Sequence, residues 1–190
     1  MLQPKEQLSM YSYPGIVASI TSRHDGKQNL MAAGWHTLIS YQPAIYGISI
    51  RKETYSYNLI VESGSFGINF LPASRSNWIQ AAGTFSGNQK NKFKEFDISY
   101  RDGHKLDIPI LTDAYGAYEC KILDIHSYGS HEFITGEIVQ AHRDDSLFQE
   151  DGIPDFTKLQ IPLYLGRSTY LTVDDTLKTT DHLFYLEKNE

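Results

Sequence analysis

Short extended runs separated by turn residues make up most of this sequence, and they limit the folds that the chain can form. Residues 16–22 and 29–37 are two such runs, and the dipeptide at 25–26, Asp-Gly, predicts a hairpin turn between them. Residues 115–126 and 132–142 predict a second hairpin. The pattern favours a mainly β fold, either a barrel or a sandwich with a few short helices, over a doubly wound α/β fold.

The run at 29–37 lacks large side chains at its centre. Residues 32–34 are Ala-Ala-Gly, where strands usually carry β-branched or aromatic side chains. A glycine inside a strand often marks the close approach of a ligand or of another backbone segment. Residues 35–37, Trp-His-Thr, add aromatic surface and polar atoms beside the gap. The run therefore predicts either a flat anionic ligand lying on the strand or a crowded strand crossing, and it does not choose between them.

Length, charge and the distribution of apolar residues limit the class of protein to which the chain can belong. A length of 190 residues predicts one domain, with a core at about 13–170 and a polar C-terminal tail at 174–190. The net charge of −6 argues against a general binder of nucleic acid or acidic membranes, although a small anion can still be held locally. The sequence has no run of ~20 apolar residues, which is the length needed to span a bilayer, and its N-terminus lacks the apolar core of a signal peptide. We therefore expect a cytoplasmic protein.

Cysteine and histidine usage argues against a metal site. The single cysteine, Cys120, rules out an intrachain disulfide and a cysteine-based zinc or iron–sulfur site within one chain, and its strand position predicts a buried apolar group. No histidine pair has zincin spacing, so no metal is expected. Glycine-rich nucleotide motifs and a nucleophile elbow are also missing from the sequence.

Two segments that follow the gap carry groups suited to an anion. Residues 49–55, Ser-Ile-Arg-Lys-Glu-Thr-Tyr, place two cations before a predicted helix at 55–62, with Thr54 as its N-cap and Gly64 as its stop. Free N–H groups and the helix dipole favour an anion at such an end. Ser86 and Gly87, with lysines nearby, could add hydroxyl, backbone and ammonium contacts. Taken alone, each segment is more often an ordinary solvated corner or loop than a ligand site.

The combination and order of these segments resemble the flavin reductase-like family, whose members bind FMN on a split β-barrel. The shared pattern begins near Pro14 and Ile16 and covers most of the chain. It continues through residues 21–22, 25–27, 29–35, 40, 43, 48–55, 62–66, 86–87, 92–93, 119–121, 131, 136–139 and 163–166, and it ends before Tyr170. Asn91 departs from the acidic residue that often precedes the Lys-Phe pair in this family. Trp35 and His36 also replace smaller or different polar groups, which narrows access to the ring.

The resemblance implies an FMN-binding split β-barrel that forms a homodimer with one FMN per subunit. Residues 33–37 would line the flavin ring largely through backbone groups, Arg51, Lys52 and Thr54 would lie near the phosphate, and Ser86, Gly87 and Lys92 would close over the ribityl phosphate. The full set of implied cofactor-binding residues is Asn29, Ala33, Gly34, Trp35, His36, Thr37, Ser49, Ile50, Arg51, Lys52, Thr54, Tyr55, Ser86, Gly87, Lys92 and Phe93. His131 would stand where a nicotinamide stacks against the flavin, although it could instead cap a hairpin loop.

The activity implied by the resemblance is an oxidoreductase that takes hydride from NADH or NADPH onto flavin and passes electrons to free flavin or another acceptor. Two alternatives stay open: a flavoredoxin-like electron carrier that docks on a redox partner protein, and a non-catalytic dimer that binds FMN or another flat ligand. The sequence does not distinguish NADH from NADPH.

Overall fold

The computed structural model describes residues 2–4, 6, 10 and 15–173. The polar tail expected at 174–190 and the expected start of the core at 13 lie outside the described residues.

The prediction of a mainly β fold with a few short helices is confirmed. The strands are Gly15–Ile16 (β1), Ala18–His24 (β2), Lys27–Ala33 (β3), His36–Tyr41 (β4), Ala44–Ile50 (β5), Ser65–Phe70 (β6), Tyr100–Asp102 (β7), Pro109–Leu111 (β8), Gly116–Tyr128 (β9), His131–Arg143 (β10), Pro162–Gly166 (β11) and Thr169–Thr172 (β12). The α-helices are Tyr55–Ser63 (α1), Ser76–Thr84 (α2) and Lys92–Glu95 (α3), and Ala73–Arg75 and Asp145–Leu147 are 3-10 turns.

Antiparallel pairing builds the main sheet, which has seven strands in the order β3-β2-β6-β9-β10-β5-β4. A three-stranded sheet, β1-β11-β12, joins the first strand to the last two, and β7 and β8 form a separate pair. Both predicted hairpins are confirmed, as β2–β3 and β9–β10. Asp25 and Gly26 have φ of 47° and 71°, which is the left-handed conformation that a tight two-residue hairpin requires.

The run at 29–37 is divided between two strands, so its prediction as one strand is wrong. Strand β3 ends at Ala33, residues 34 and 35 form a bend, and β4 begins at His36. The Trp35 carbonyl accepts a hydrogen bond from Ser49 N–H at 2.9 Å, which ties the bend to β5. The bend turns the chain from one edge of the main sheet to the other, because β3 and β4 are its two outermost strands.

Helix α1 follows β5 directly and ends as the sequence predicted. Gly64 has φ of 69° and donates its N–H to Ile60 O at 2.9 Å, which is the usual left-handed helix stop. Leu59 and Ile60 are buried, whereas Val61 is 39% exposed. Helix α2 packs on β3 through the cluster of Leu30, Trp78, Ile79 and neighbouring apolar residues. Within the described residues, no helix is both long enough and apolar enough to cross a membrane.

A buried carboxylate fixes the loop between β7 and β8. Glu119 is fully buried on β9 and accepts hydrogen bonds from the backbone N–H groups of His104, Lys105 and Leu106 at 2.6 to 2.8 Å and from His142 Nε2 at 2.7 Å. Burial alone would raise the pKa of Glu119, but these hydrogen bonds outweigh it and hold the pKa below its ordinary value.

We expect Glu119→Ala to lower the free energy of unfolding by about 3 kcal/mol or more, because it leaves several buried donors without acceptors. The lowered pKa means that the stability contributed by Glu119 is present above the pKa of the unfolded carboxyl and is lost as the pH falls through the folded value. Urea unfolding at several acidic pH values measures both effects. A wild-type stability in Glu119→Ala would contradict this account.

Candidate functional site

A cavity of about 550 Å³ opens where the bend after β3, the end of β5, helix α2 and the first residue of β10 come together. This volume lies inside the range of about 300 to 1,000 Å³ that is usual for small-molecule sites. The lining residues are Met10, Val17, Met31, Ala32, Ala33, Gly34, Trp35, Ser49, Ile50, Arg51, Thr54, Ile79, Gln80, Gly83, His131, Tyr164 and Tyr170.

A second cavity of about 400 Å³ continues from the first toward the start of α1 and the loop after α2. The two cavities share Met31, Ala32, Thr54 and Gly83 as lining residues. The second is lined in addition by Asn29, Glu53, Tyr55, Ser56, Ala82, Thr84, Phe85, Ser86, Gly87 and Lys92. Together they form one elongated site with an aromatic and apolar end and a polar end.

The small residues of the sequence gap lie on the wall of this site. Ala32, Ala33 and Gly34 line the first cavity. A Cβ atom built at Gly34 would have no heavy atom within 4 Å, so space and not a crossing strand lies beside this glycine. The interpretation of the gap as a crowded strand crossing is therefore disfavoured, and a flat ligand has room there.

The start of α1 supplies uncapped backbone groups at the junction of the two cavities. Thr54 is the N-cap residue, but its hydroxyl donates to Arg51 O at 2.9 Å and does not cap the helix. The N–H groups of Tyr55 and Ser56, which line the second cavity, make no hydrogen bond within the described residues. The first turn also carries no acidic residue. This helix end can therefore accept an anion through its N–H groups and its dipole.

Lys92 is the buried cation of the site. Its side chain is 2% exposed and donates to Phe85 O at 2.8 Å, and no carboxylate in the described part of the chain pairs with it. Burial lowers the pKa of Lys92 to about 8. A buried ammonium group without a counter-ion is unfavourable unless an anion arrives to pair with it. Lys92 therefore gives the second cavity a preference for an anionic ligand.

Local geometry explains how Lys92 comes to be buried. Asn91, the position where the sequence departs from the family pattern, is the N-cap of α3 and accepts a hydrogen bond from Lys94 N–H at 3.2 Å. Phe93 is 7% exposed and packs into the α2 cluster, which anchors the helix to the core. The helix thus holds Lys92 inward without an acidic residue before it.

The loop at residues 86–87 approaches the site through its backbone. A Cβ atom at Gly87 would overlap the Tyr55 ring and would lie 2.6 Å from Asn29 Oδ1. Asn29 is itself held by a hydrogen bond from Nδ2 to Ser56 Oγ at 2.8 Å. Only glycine allows the chain to pass this close to β3 and α1, so the loop can cover the second cavity with backbone groups.

His131 and Trp35 form an aromatic wall at the other end. Their ring centroids are 4.8 Å apart and the rings are tilted by 51°. Ser130 Oγ lies 2.8 Å from His131 Nδ1, and Trp35 Nε1 donates to Met10 Sδ at 3.2 Å. Trp35 is nevertheless 52% exposed. The wall leaves aromatic surface open at the cavity mouth.

Four of the residues expected at the cofactor line neither cavity: His36, Thr37, Lys52 and Phe93. His36 lies past the bend, where Nδ1 meets Tyr46 Oη at 2.7 Å and Nε2 meets Ile16 O at 3.0 Å. Burial lowers the pKa of His36. Because β4 starts at this residue, its side chain joins the sheet contacts and the cavity wall ends at Trp35.

The other three have different neighbours. Thr37 Oγ1 donates to Leu38 O at 3.1 Å, and Phe93 is a core residue. Lys52 Nζ lies 3.1 Å from Glu132 Oε1 and so is already paired with a carboxylate. The remaining expected residues line one of the two cavities: Asn29, Ala33, Gly34, Trp35, Ser49, Ile50, Arg51, Thr54, Tyr55, Ser86, Gly87, Lys92 and His131.

Sequence reasoning missed the residues that reach the site from α2 and from the last two strands. Gln80 and Gly83 come from α2, and Tyr164 and Tyr170 come from β11 and β12. Tyr170 Oη lies 3.3 Å from Gln80 Oε1, so the small sheet covers the helix side of the cavity. The two tyrosines were visible in the sequence as an aromatic pair near its end, but nothing local linked them to β3.

No group of three or more histidine, cysteine or acidic side chains in residues 2–4, 6, 10 and 15–173 is placed to hold a metal ion. Cys120 is fully buried, as its strand position predicted, and burial raises the pKa of its thiol.

Comparison with known proteins identifies this architecture. The family described as the flavin reductase like domain matches residues 10–174. The FMN-binding protein from Thermus thermophilus, solved with bound 1-cyclohex-2-enone, is 27% identical, with a TM-score of 0.85 over 95% of this chain and 100% of that one. Flavoredoxin from Desulfovibrio vulgaris (Miyazaki F) is 26% identical, with a TM-score of 0.83 over 95% of this chain and 98% of its own. The ferric-chelate reductase (NAD(P)H) of Archaeoglobus fulgidus is 27% identical over 124 residues, which are 64% of this chain and 72% of that protein.

Proposed function

The chain belongs to the flavin reductase-like domain family, and from that premise we propose that it is an FMN-binding oxidoreductase that takes hydride from NADH or NADPH. In this proposal it passes the electrons to free flavin or to another acceptor. The observation that carries the proposal is the elongated site, which joins a flat cavity walled by small residues to a polar cavity with a buried lysine that pairs with no carboxylate of the described residues. FMN has the same two-part chemistry, a planar ring joined to a phosphate.

The residues present fit FMN. The flat cavity, with Ala33, Gly34 and Trp35 on its wall, would hold the ring. Arg51, whose guanidinium makes no ion pair within the described residues, and Thr54 lie at the junction toward the polar cavity. The polar cavity would hold the phosphate through the start of α1, the loop at 86–87 and Lys92. When bound, FMN supplies the capacity to accept and release hydride or electrons.

The chain's own groups would bind FMN, orient its reaction partner and shield the site. Lys92 and the N–H groups at the start of α1 would neutralise the phosphate. The bend at 34–35 would present backbone polar groups to one edge of the ring, and the aromatic wall of Trp35 and His131 would offer a surface for a nicotinamide. Ser130 engages Nδ1 of His131, so Nε2 is the ring nitrogen left to orient the nicotinamide or to carry a proton.

We further propose that residues 15–173 act as one domain, that the protein is a homodimer, and that it works in the cytoplasm. Exposed apolar side chains on the outermost strand β4 and on the β9–β10 hairpin support the homodimer, among them Ile39 at 47%, Tyr41 at 88%, Leu123 at 51% and Tyr128 at 67% exposure. Large exposed apolar side chains are common at subunit contacts. Sedimentation of the purified protein tests the oligomeric state.

A second candidate function is an FMN-binding electron carrier that docks on a redox partner protein. Similarity to flavoredoxin over 95% of the chain favours it. The absorption spectrum of the protein as isolated, followed by anaerobic addition of NADH and then NADPH, distinguishes the two. Multiple turnovers of nicotinamide with added flavin support the reductase, whereas reduction only by a protein donor supports the carrier. A colourless protein that takes up no FMN would contradict both.

We expect His131→Ala to retain FMN and to slow its reduction by nicotinamide by about three- to tenfold, because the variant loses one wall of the stacking surface. Stopped-flow absorbance of the flavin measures the rate, and His126→Ala, which changes an exposed histidine farther along the same hairpin, is the control. Equal reduction rates in wild type and His131→Ala would make the histidine a structural residue.

A further inference from the structure

A second polar cluster lies directly beside the site and lines neither cavity. The Glu132 carboxylate, 5% exposed at its side chain, accepts Ser127 Oγ at 2.8 and 2.9 Å and Lys52 Nζ at 3.1 Å. Burial alone would raise the pKa of Glu132, but the hydrogen bonds from Ser127 and Lys52 outweigh it and hold the pKa below its ordinary value. The carboxylate is therefore ionised and held from two sides.

The cluster joins three neighbouring strands at the point where they reach the cavity. In the sheet, Glu132 lies opposite Ser127 of β9 on one side and opposite Ile50 of β5 on the other. Lys52 is the second residue after the end of β5. The residues next to the cluster in sequence, Arg51 and His131, line the cavity. Ile50, the cross-strand partner of Glu132, also lines the cavity, so the cluster lies at the strand ends that border it.

We propose that Lys52 and Glu132 are positioning residues, which act by fixing the strand ends that carry Arg51 and His131 at the flavin site. Lys52 is not, in this inference, a ligand of the FMN phosphate. The inference rests on the proposed function, because it assigns a role in that same site. Its physical basis is the hairpin end at residues 128–131, which is tied to β5 at this level through Glu132 and turns through Gly129 at a φ of 60°. Loss of the contacts that Glu132 makes with Lys52 and Ser127 would let the hairpin end shift relative to β5 and would separate His131 from Trp35.

The two roles for Lys52 predict opposite behaviour of its partner. If Lys52 bound phosphate directly, Lys52→Met would weaken FMN binding, whereas Glu132→Gln would leave it unchanged or strengthen it by removing a nearby negative charge. If the two residues act as a unit, both variants give the same defect, and the double variant is no worse than either single one. Lys52→Arg keeps the charge and the donor, so it should behave as wild type.

A double-mutant cycle with Lys52→Met and Glu132→Gln tests the proposal. We expect each variant to slow flavin reduction by nicotinamide by about three- to tenfold, which is below the roughly 100-fold that a 1 Å misplacement can cause. The double variant should show the same factor, and the Kd for FMN should stay within about threefold of wild type throughout. Lys158→Met is the matched control, because Lys158 is an exposed lysine that pairs with a carboxylate, Asp155, in the loop after β10.

A second readout needs neither FMN nor activity. The emission of an indole depends on the groups that contact it, so the tryptophan fluorescence of the FMN-free protein reports the contact of His131 with Trp35, and His131→Ala shows the emission when that contact is lost. Trp78, the other tryptophan, is 5% exposed in the core, and Trp35→Phe removes the signal of interest. We expect the emission of Lys52→Met and Glu132→Gln to approach that of His131→Ala, and the emission of Lys52→Arg and Lys158→Met to match wild type.

The outcomes separate this inference from the proposed function. Wild-type tryptophan emission and wild-type flavin reduction in both single variants would overturn the inference while the proposed function stood. Loss of FMN affinity in Lys52→Met alone, by about tenfold or more, would make Lys52 a phosphate ligand and would also overturn it. If wild type took up no FMN, the proposed function would fail, and the fluorescence cycle would still decide whether the cluster positions His131.

Discussion

Replacing Lys92 with methionine should weaken FMN binding by about 10- to 150-fold, which is the loss of roughly 1.5 to 3 kcal/mol that a charge-assisted hydrogen bond contributes. Lys92 is the strongest candidate for the phosphate ligand, because it is 2% exposed, lines the polar cavity and pairs with no carboxylate of the described residues. Methionine keeps the length and the apolar contacts of the lysine stem. Isothermal titration of the FMN-free protein with FMN measures the change.

The same substitution should not destabilise the FMN-free protein. Burying an uncompensated charge is unfavourable, so removing the Lys92 ammonium should leave the free energy of unfolding unchanged or raise it. Lys94→Met is the matched control, since Lys94 lies on the same short helix but is exposed. A Lys92→Met protein that unfolds more easily and binds FMN normally would assign this lysine to the fold and not to the site.

The affinity for FMN should fall as the pH rises above about 8, by up to about tenfold per pH unit, and it should do so in wild type but not in Lys92→Met. Burial lowers the pKa of Lys92 to about 8 in the FMN-free protein, whereas a phosphate beside the ammonium favours the protonated form. Binding then takes up a proton above that pKa, which reduces the affinity as protons become scarce. Below about pH 6 the phosphate itself becomes protonated, so the highest affinity is expected between about pH 6 and 8.

The effect on stability has the opposite sign and provides an internal check. Below about pH 8 both the folded and the unfolded protein carry the Lys92 charge, and the full burial penalty applies. Between about 8 and the ordinary lysine value the unfolded chain binds more protons, so this residue makes the FMN-free protein more stable as the pH rises. Titrations with FMN from pH 7 to about 9.5, with chemical unfolding at the same pH values, measure both. An affinity that is independent of pH in this interval would contradict the role given to Lys92.

Local patterns in the sequence were sufficient for most of the fold. The Asp25-Gly26 turn and the helix stop at Gly64 depend on backbone preferences of a few adjacent residues, and the structure has both of them. The gap at 32–34 was also visible, because three small residues in a strand pattern are unusual. The bend at Gly34 and Trp35 was missed, since nothing in the local pattern shows that Trp35 O would pair with Ser49 N–H.

The sequence by itself determined that a β-rich chain carries a gap of small residues followed by a basic corner and a helix start, because these are properties of neighbours along the chain. Only the tertiary structure decided which cation is available to an anion. Lys52 and Lys92 look alike in sequence, but Lys52 meets Glu132, 80 positions away, near the start of β10. Helix α3 instead buries Lys92 beside the polar cavity, where no carboxylate of the described residues pairs with it. Burial and pairing depend on which distant strands and helices meet, and that is set by the packing of the whole sheet.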